Sequence, residues 1–189
     1  NDMGVRAGDA LLIYGVETAA KAFAMTDDAA KVGRCIAILA EKTGIYGMIG
    51  GQTVDVELTG KPVSRDKLDF IYRLKTGALL EASMLIGAVM AGASEKDCEA
   101  VERMASAVGL AFQIQDDILD VTGDQAVIGK PVHSDEKNSK TTYVTLEGLE
   151  KARQDAAKLT ETALDILYSL PGKNDFLEEL IHMLIRREK

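Results

Sequence analysis

Gly109–Tyr143 reads GLAFQIQDDILDVTGDQAVIGKPVHSDEKNSKTTY. It is an apolar helix running into three aspartates, Asp116, Asp117 and Asp120, followed by a loop that carries Lys130, Lys137 and Lys140. Residues three and four apart share a helix face, so Asp116 and Asp117 both stand beside Asp120. Gly123 places them in the last turn, where the negative end of the helix dipole disfavours anionic side chains. A compensating cation is therefore expected. An all-oxygen donor set without His or Cys suits a hard ion such as Mg²⁺, which takes one or two carboxylates together with waters and phosphate oxygens. The loop lysines would meet the same phosphates as point charges. The alternative is a solvated helix end with ordinary surface acids. Phe112, Ile114, Ile118 and Leu119, interleaved with the acids, set them at the edge of a core and favour a site.

Upstream, Ser94 with Asp97 three residues later resembles a capping box with Asp in place of Glu. From it Val101, Met104, Val108 and Phe112 carry a helical period to the aspartates, and Gln113 lies one turn before Asp116 and Asp117. Before that, Ser64 opens a helix to about Met90 whose buried stripe is Leu68, Ile71, Tyr72, Leu79, Ala82 and Leu85. Lys75-Thr76-Gly77 in its middle predicts a kink, because Thr and Gly both weaken the backbone ladder there. A still earlier helix, from about Asp28 to Leu58 and capped by Thr26 or Asp27, contains Gly44, Gly47, Gly50 and Gly51. Each costs up to ~1 kcal/mol against Ala in a helix interior, so close packing or site access must offset it. Gln52 and Asp55, one turn apart, are either a polar lining or plain surface. Residues 1–25 hold a first amphipathic run with Leu11, Leu12, Val16, Ala19, Ala20 and Phe23 at helical spacing.

Downstream, Thr122 to Thr142 lacks sustained periodicity, and a loop of that length is usually functional or disordered. Thr142 or Thr145 then caps a helix to Leu170, Pro171-Gly172 breaks it, and Asn174 or Asp175 starts a last helix with Arg186, Arg187 and Lys189 at its end. No strand pattern competes. The predicted fold is all-α: one domain over residues 1–189, a bundle of long, mostly antiparallel helices with room for a cavity between them.

The 189 residues are 47% hydrophobic with a formal net charge of -8. That balance indicates a globular chain and argues against nucleic-acid binding. An anionic substrate would need metal ions and local lysines. Cys35 and Cys98 sit apart within apolar helical patterns, as reduced core residues of a cytoplasmic protein would. The most apolar run, Ala82 to Ala91, is about half of the ~20 residues a membrane span requires.

GLAFQIQDDILDVTGD, the GKPVHSDEKNSKTTY loop, GGQTVD, KTGALLEAS and AGDALL together resemble the short-chain polyprenyl diphosphate synthases of the farnesyl and geranylgeranyl type, in the family's order over nearly the whole chain. The resemblance implies an isoprenoid-synthase bundle around a central cavity. It also implies Mg²⁺-dependent (Mn²⁺ as the alternative) head-to-tail condensation of an allylic diphosphate with isopentenyl diphosphate, and a homodimer. By motif, Asp116, Asp117 and Asp120 are metal ligands, with Asp116 the first choice. Lys75, Lys130 and Lys140 hold the allylic diphosphate. Thr76, Gln113 and the Lys75 carbonyl face the carbocation, Phe112 and Gln113 border the isopentenyl site, and Gln52 and Asp55 line the cavity. Arg186, Arg187 and Lys189 are candidates to close over isopentenyl diphosphate.

Family members also carry a first aspartate-rich motif on a helix preceding the AGDALL region. The expectation is therefore that these residues are part of a longer synthase, inactive alone and lacking the positions where bulky side chains limit product length. A noncatalytic regulatory subunit and a related terpene cyclase are the other readings. An upstream aspartate motif would reject the first, and a requirement for isopentenyl diphosphate the second.

Overall fold

A computed structural model of the chain describes residues 2–123 and 140–187. All regular elements among the described residues are helical, as the sequence predicts. α1 (Asp2–Ala20) runs into a 3-10 turn over Lys21–Ala24. Asp28, rather than Thr26 or Asp27, caps α2 (Ala29–Thr43), its carboxylate accepting from Lys31 N at 2.9 Å.

The single helix expected over Asp28–Leu58 is in fact two, α2 and α3 (Met48–Glu57). The cause is the glycine cluster. Gly44 is extended at the end of α2, and a Cβ at Gly47 would lie 2.0 Å from the Lys42 carbonyl oxygen, one at Gly50 2.1 Å from that of Ile45. Only glycine fits that folded-back backbone, so the residues do not pack inside one helix but separate two.

The next helix is interrupted where the kink is predicted: α4 (Arg65–Tyr72), a π turn over Arg73–Gly77, then α5 (Ala78–Met90). A π turn adds a residue to the hydrogen-bonded cycle at that point. Leu68, Ile71 and Tyr72 before it and Ala82 and Leu85 after it are buried as expected, but Leu79 is 38% exposed, while Ala78 is 1% exposed in its place.

α6 (Glu95–Thr122) starts at Ser94, whose hydroxyl accepts from Asp97 N, and ends at Gly123. The helix expected from Thr142 to Leu170 is likewise two, α7 (Tyr143–Glu147) and α8 (Leu149–Ser169), because Gly148 between them takes φ 83. Thr142 and Thr145 form a reciprocal capping box at α7. Asn174 caps α9 (Asp175–Arg186).

α6 is the axis, with α5 and α8 packed along it and α2 on the far flank of α5. Its C-terminal half meets α4, α7 and α8 through Leu68, Ile71, Tyr72, Ile114, Ile118, Tyr143, Ala152 and Ala156. Its N-terminal half meets α8 and α9 through Met104, Val108, Ala163, Leu167 and Ile181. α1 stands apart. It buries no residue, and Leu11, Ile13 and Tyr14 are 72%, 66% and 58% exposed.

Candidate active site

The π turn is held by two glycines in neighbouring helices. A Cβ on Gly51 of α3 would stand 2.4 Å from Lys75 N, and one on Gly109 of α6 would stand 2.9 Å from Gly77 Cα. Both helices therefore press their backbones onto the turn, and this close approach is what Gly51 is for. The result sets Lys75 beside Asp55: Lys75 Nζ donates to Asp55 Oδ2 at 2.5 Å, and Lys140 Nζ, from the far side of the loop, lies 3.4 Å from the same oxygen. Burial alone would raise the Asp55 pKa. The hydrogen bond from Lys75 and the charge of Lys140 outweigh it and hold the carboxyl below the ordinary carboxylate value. Two cations so share one carboxylate, which leaves a net positive charge for an anion to meet. A small cavity beside them is lined by Asp55, Leu58, Tyr72, Lys140 and Thr141.

The aspartates at the end of α6 differ in setting. Asp117 and Asp120 are buried. Asp117 Oδ2 accepts from Tyr72 Oη at 2.6 Å and from Tyr143 N at 2.7 Å, so one carboxylate ties α4, α6 and α7 together. Tyr143 is itself fixed, its hydroxyl donating to Asp155 and its ring under the Arg65 guanidinium, 4.1 Å from the centroid. Burial first, then the bond to Asp155, push the Tyr143 pKa up. Asp116 is met by Arg187, whose Nη2 lies 3.1 Å from its Oδ1 and 3.4 Å from the Phe112 carbonyl oxygen. The Arg187 guanidinium also covers the Phe112 ring at 3.9 Å, and its buried Nε has no hydrogen-bond acceptor among the described residues.

Of the predicted site residues, the structure joins Lys75, Lys140 and Asp55, and sets Phe112 and Asp116 under Arg187. Thr76 lies half-buried in the π turn and Gln113 half-buried on α6. Gln52 is exposed and outside the lysine cluster. Lys130, Lys137 and Lys189 lie outside the described residues. Among the described residues no three acidic, His or Cys side chains group around one ion position. The oxygen-only chemistry of Asp116, Asp117 and Asp120 nevertheless fits a hard divalent ion that takes its remaining ligands from phosphate and water. Tyr72 and the Tyr143 amide, which hold Asp117, are not legible as site residues in the sequence. The available signal is only that Tyr72 precedes Lys75 by one turn and Tyr143 ends the KTTY motif.

The fold is a helical bundle in which a glycine-clamped π turn presents a lysine beside an aspartate-terminated helix. A crystal structure of the Helicobacter pylori geranyltransferase complexed with magnesium and isoprenyl diphosphate superposes with a TM-score of 0.78 and 33% identity, over 94% of this chain and 57% of that one. The Escherichia coli farnesyl diphosphate synthase is 42% identical over 158 residues, 82% of this chain and 53% of that protein. The chloroplastic geranylgeranyl pyrophosphate synthase of Capsicum annuum is 41% identical over 163 residues, 86% of this chain and 44% of that protein. The polyprenyl synthetase family model matches residues 1–176, and the chain belongs to that family. It spans about half the length of these curated relatives. No helix among the described residues is long and apolar enough to cross a membrane.

Proposed function

We propose that the protein is a prenyltransferase that joins an allylic diphosphate head to tail with isopentenyl diphosphate, giving farnesyl or geranylgeranyl diphosphate. The observation that carries this reading is the convergence of Lys75 and Lys140 on Asp55 at the π turn, in a chain of this family. In the reaction the allylic carbon–oxygen bond breaks, and diphosphate leaves with the electron pair. The isopentenyl double bond then supplies the pair for the new carbon–carbon bond, and a proton is lost.

Lys75 and Lys140, with Lys130, neutralise the charge that develops on the departing diphosphate, and fixed cations do so without reorganising. Asp116, Asp117 and Asp120 would hold Mg²⁺ (or Mn²⁺), which when bound supplies Lewis-acid stabilisation of the same oxygens. The magnesium and isoprenyl diphosphate in the Helicobacter pylori relative support this assignment. Thr76, Gln113 and the Lys75 carbonyl turn oxygens toward the allylic cation. Phe112 and Gln113 border the isopentenyl group, while Arg187, with Arg186 and Lys189, closes over its diphosphate. The buried Arg187 Nε, without an acceptor among the described residues, supports that last role, since a buried guanidinium donor calls for one. Asp55 lines the cavity beside the lysines. We place the reaction in the cytoplasm, in one domain per chain and two chains per molecule.

The test is an assay of the purified protein, its intact mass recorded, with dimethylallyl and isopentenyl diphosphates and Mg²⁺. Mg²⁺-dependent prenyl diphosphate, lost in Asp116→Ala, supports the reading. Turnover that needs no isopentenyl diphosphate would make it a cyclase, and product only after a second subunit is added would make it a regulatory partner.

A further inference from the structure

α7 is five residues long, and Tyr143 is its one buried side chain. A helix that short has no stability of its own, so its place depends on what its neighbours hold. Tyr143, 1% exposed, is held from three sides. Its amide donates to Asp117 of α6, its hydroxyl donates to Asp155 of α8 at 2.7 Å, and the Arg65 guanidinium of α4 lies across its ring.

Arg65 is itself oriented at both edges. Its Nε donates to the two oxygens of Asp69, one turn on in α4, at 2.9 Å each, and its Nη1 donates to Glu147 Oε1 at 2.8 Å. Tyr143 is the first residue of α7 and Glu147 the last. One planar guanidinium thus pins both ends of α7 to α4, stacking on the ring of one and bonding the carboxylate of the other, a combination an ammonium does not offer.

The anchor stands close to the lysine cluster. Lys140 precedes Tyr143 by three residues, and Thr142 between them is extended, with φ -120 and ψ 169. At no more than ~3.6 Å per residue, the Lys140 backbone lies within about 11 Å of the anchor, and so short a link passes on a shift of α7. The Lys140 ammonium ends 3.4 Å from Asp55 Oδ2, the oxygen that also receives Lys75.

We propose that Arg65 is a positioning residue: acting through α7, it sets Lys140 against Asp55 and Lys75 and thereby sets the affinity for the diphosphate group. The identity of that ligand rests on the prenyl-transfer reading. Arg65 contributes no charge to the ligand itself, so its effect exists only while Lys140 is there to be placed.

The experiment measures binding of inorganic pyrophosphate by calorimetry, in EDTA so that the aspartates take no part through a metal. It compares the native-length protein with Arg65→Ala, Lys140→Ala and the double variant, and the KM for dimethylallyl diphosphate is measured alongside with Mg²⁺. Arg65→Ala should bind pyrophosphate roughly tenfold more weakly and raise that KM while changing kcat less, the loss being that of one charge-assisted contact. In the Lys140→Ala background the same substitution should weaken pyrophosphate binding no further. Should Arg65→Ala not fold by circular dichroism, Glu147→Gln loosens the far end of α7 while the stacked guanidinium stays, and a smaller loss, again absent without Lys140, is expected. Unchanged pyrophosphate binding in a folded variant, or an equal loss with and without Lys140, overturns Arg65 as a positioning residue and leaves prenyl transfer intact. A wild type that binds no pyrophosphate overturns the lysine cluster as a diphosphate site, and this inference with it. A wild type that binds pyrophosphate but makes no prenyl diphosphate overturns prenyl transfer, and the binding cycle alone then decides the role of Arg65.

Discussion

Asp117 and Asp116 are neighbours in the chain with different tasks. Tyr72 Oη and Tyr143 N both donate to buried Asp117, so Asp117→Ala removes an acceptor from the hydroxyl and the amide together. A loss of roughly 2–4 kcal/mol in chemical denaturation is expected, with Tyr72→Phe costing about 1 kcal/mol because the amide bond survives. Asp116→Ala, at the more open position under Arg187, should leave stability nearly unchanged while abolishing Mg²⁺-dependent turnover. Equal stability losses at the two positions would contradict this division. Asp55 offers a test by pH. Its folded pKa lies below the ordinary carboxylate value, so its contribution is complete above about pH 4 and is lost as pH falls through the folded pKa. In acid titrations followed by urea unfolding, the wild type should lose stability more steeply than Asp55→Asn in that window, and the two slopes should agree near neutrality.

At the scale of elements, the π turn is the feature on which the site depends. It exists beside helices that approach it to backbone contact. Gly51→Ala puts a methyl 2.4 Å from Lys75 N and 2.8 Å from Leu74 Cβ, and a backbone atom cannot move aside as a side-chain tip does. We expect a destabilisation of about 1–3 kcal/mol by thermal unfolding, with weaker binding of inorganic pyrophosphate as Lys75 is displaced from Asp55. Retained stability and binding would mean that α3 slides freely on the turn.

At the scale of the molecule, α1 carries apolar side chains that the described residues do not cover, with Leu11 and Tyr14 well exposed. Such a surface is usually an interface, and it fits the proposed two-chain assembly. Light scattering should give twice the protomer mass for the native protein and the single mass for Leu11→Glu/Tyr14→Lys. A native protein of single mass would remove the assembly from the proposal.

What the residues determine by themselves is local. Caps at Ser94, Thr142 and Asn174, the period of α6, the break at Pro171-Gly172 and the weak point at Thr76-Gly77 all follow from interactions within a turn or two, so they can be read from neighbours along the chain. The aspartates, the KT pair and Lys140 were legible as a set through their motifs. The tertiary structure alone decided the rest. Whether Gly44–Gly51 packs inside one helix or parts two depends on backbone that folds back on itself. Whether Ala78 or its neighbour Leu79 fills the buried position behind the π turn is decided by the packed helices, not by the period, which both residues nearly satisfy. Tyr72 and Tyr143 reach Asp117 across 45 and 26 residues of sequence, and Lys42 reaches Glu81 and Glu102 across 39 and 60. Contacts at such separations form only after the helices have packed, and the energy that selects them, the satisfaction of buried charge, does not exist in the unassembled elements.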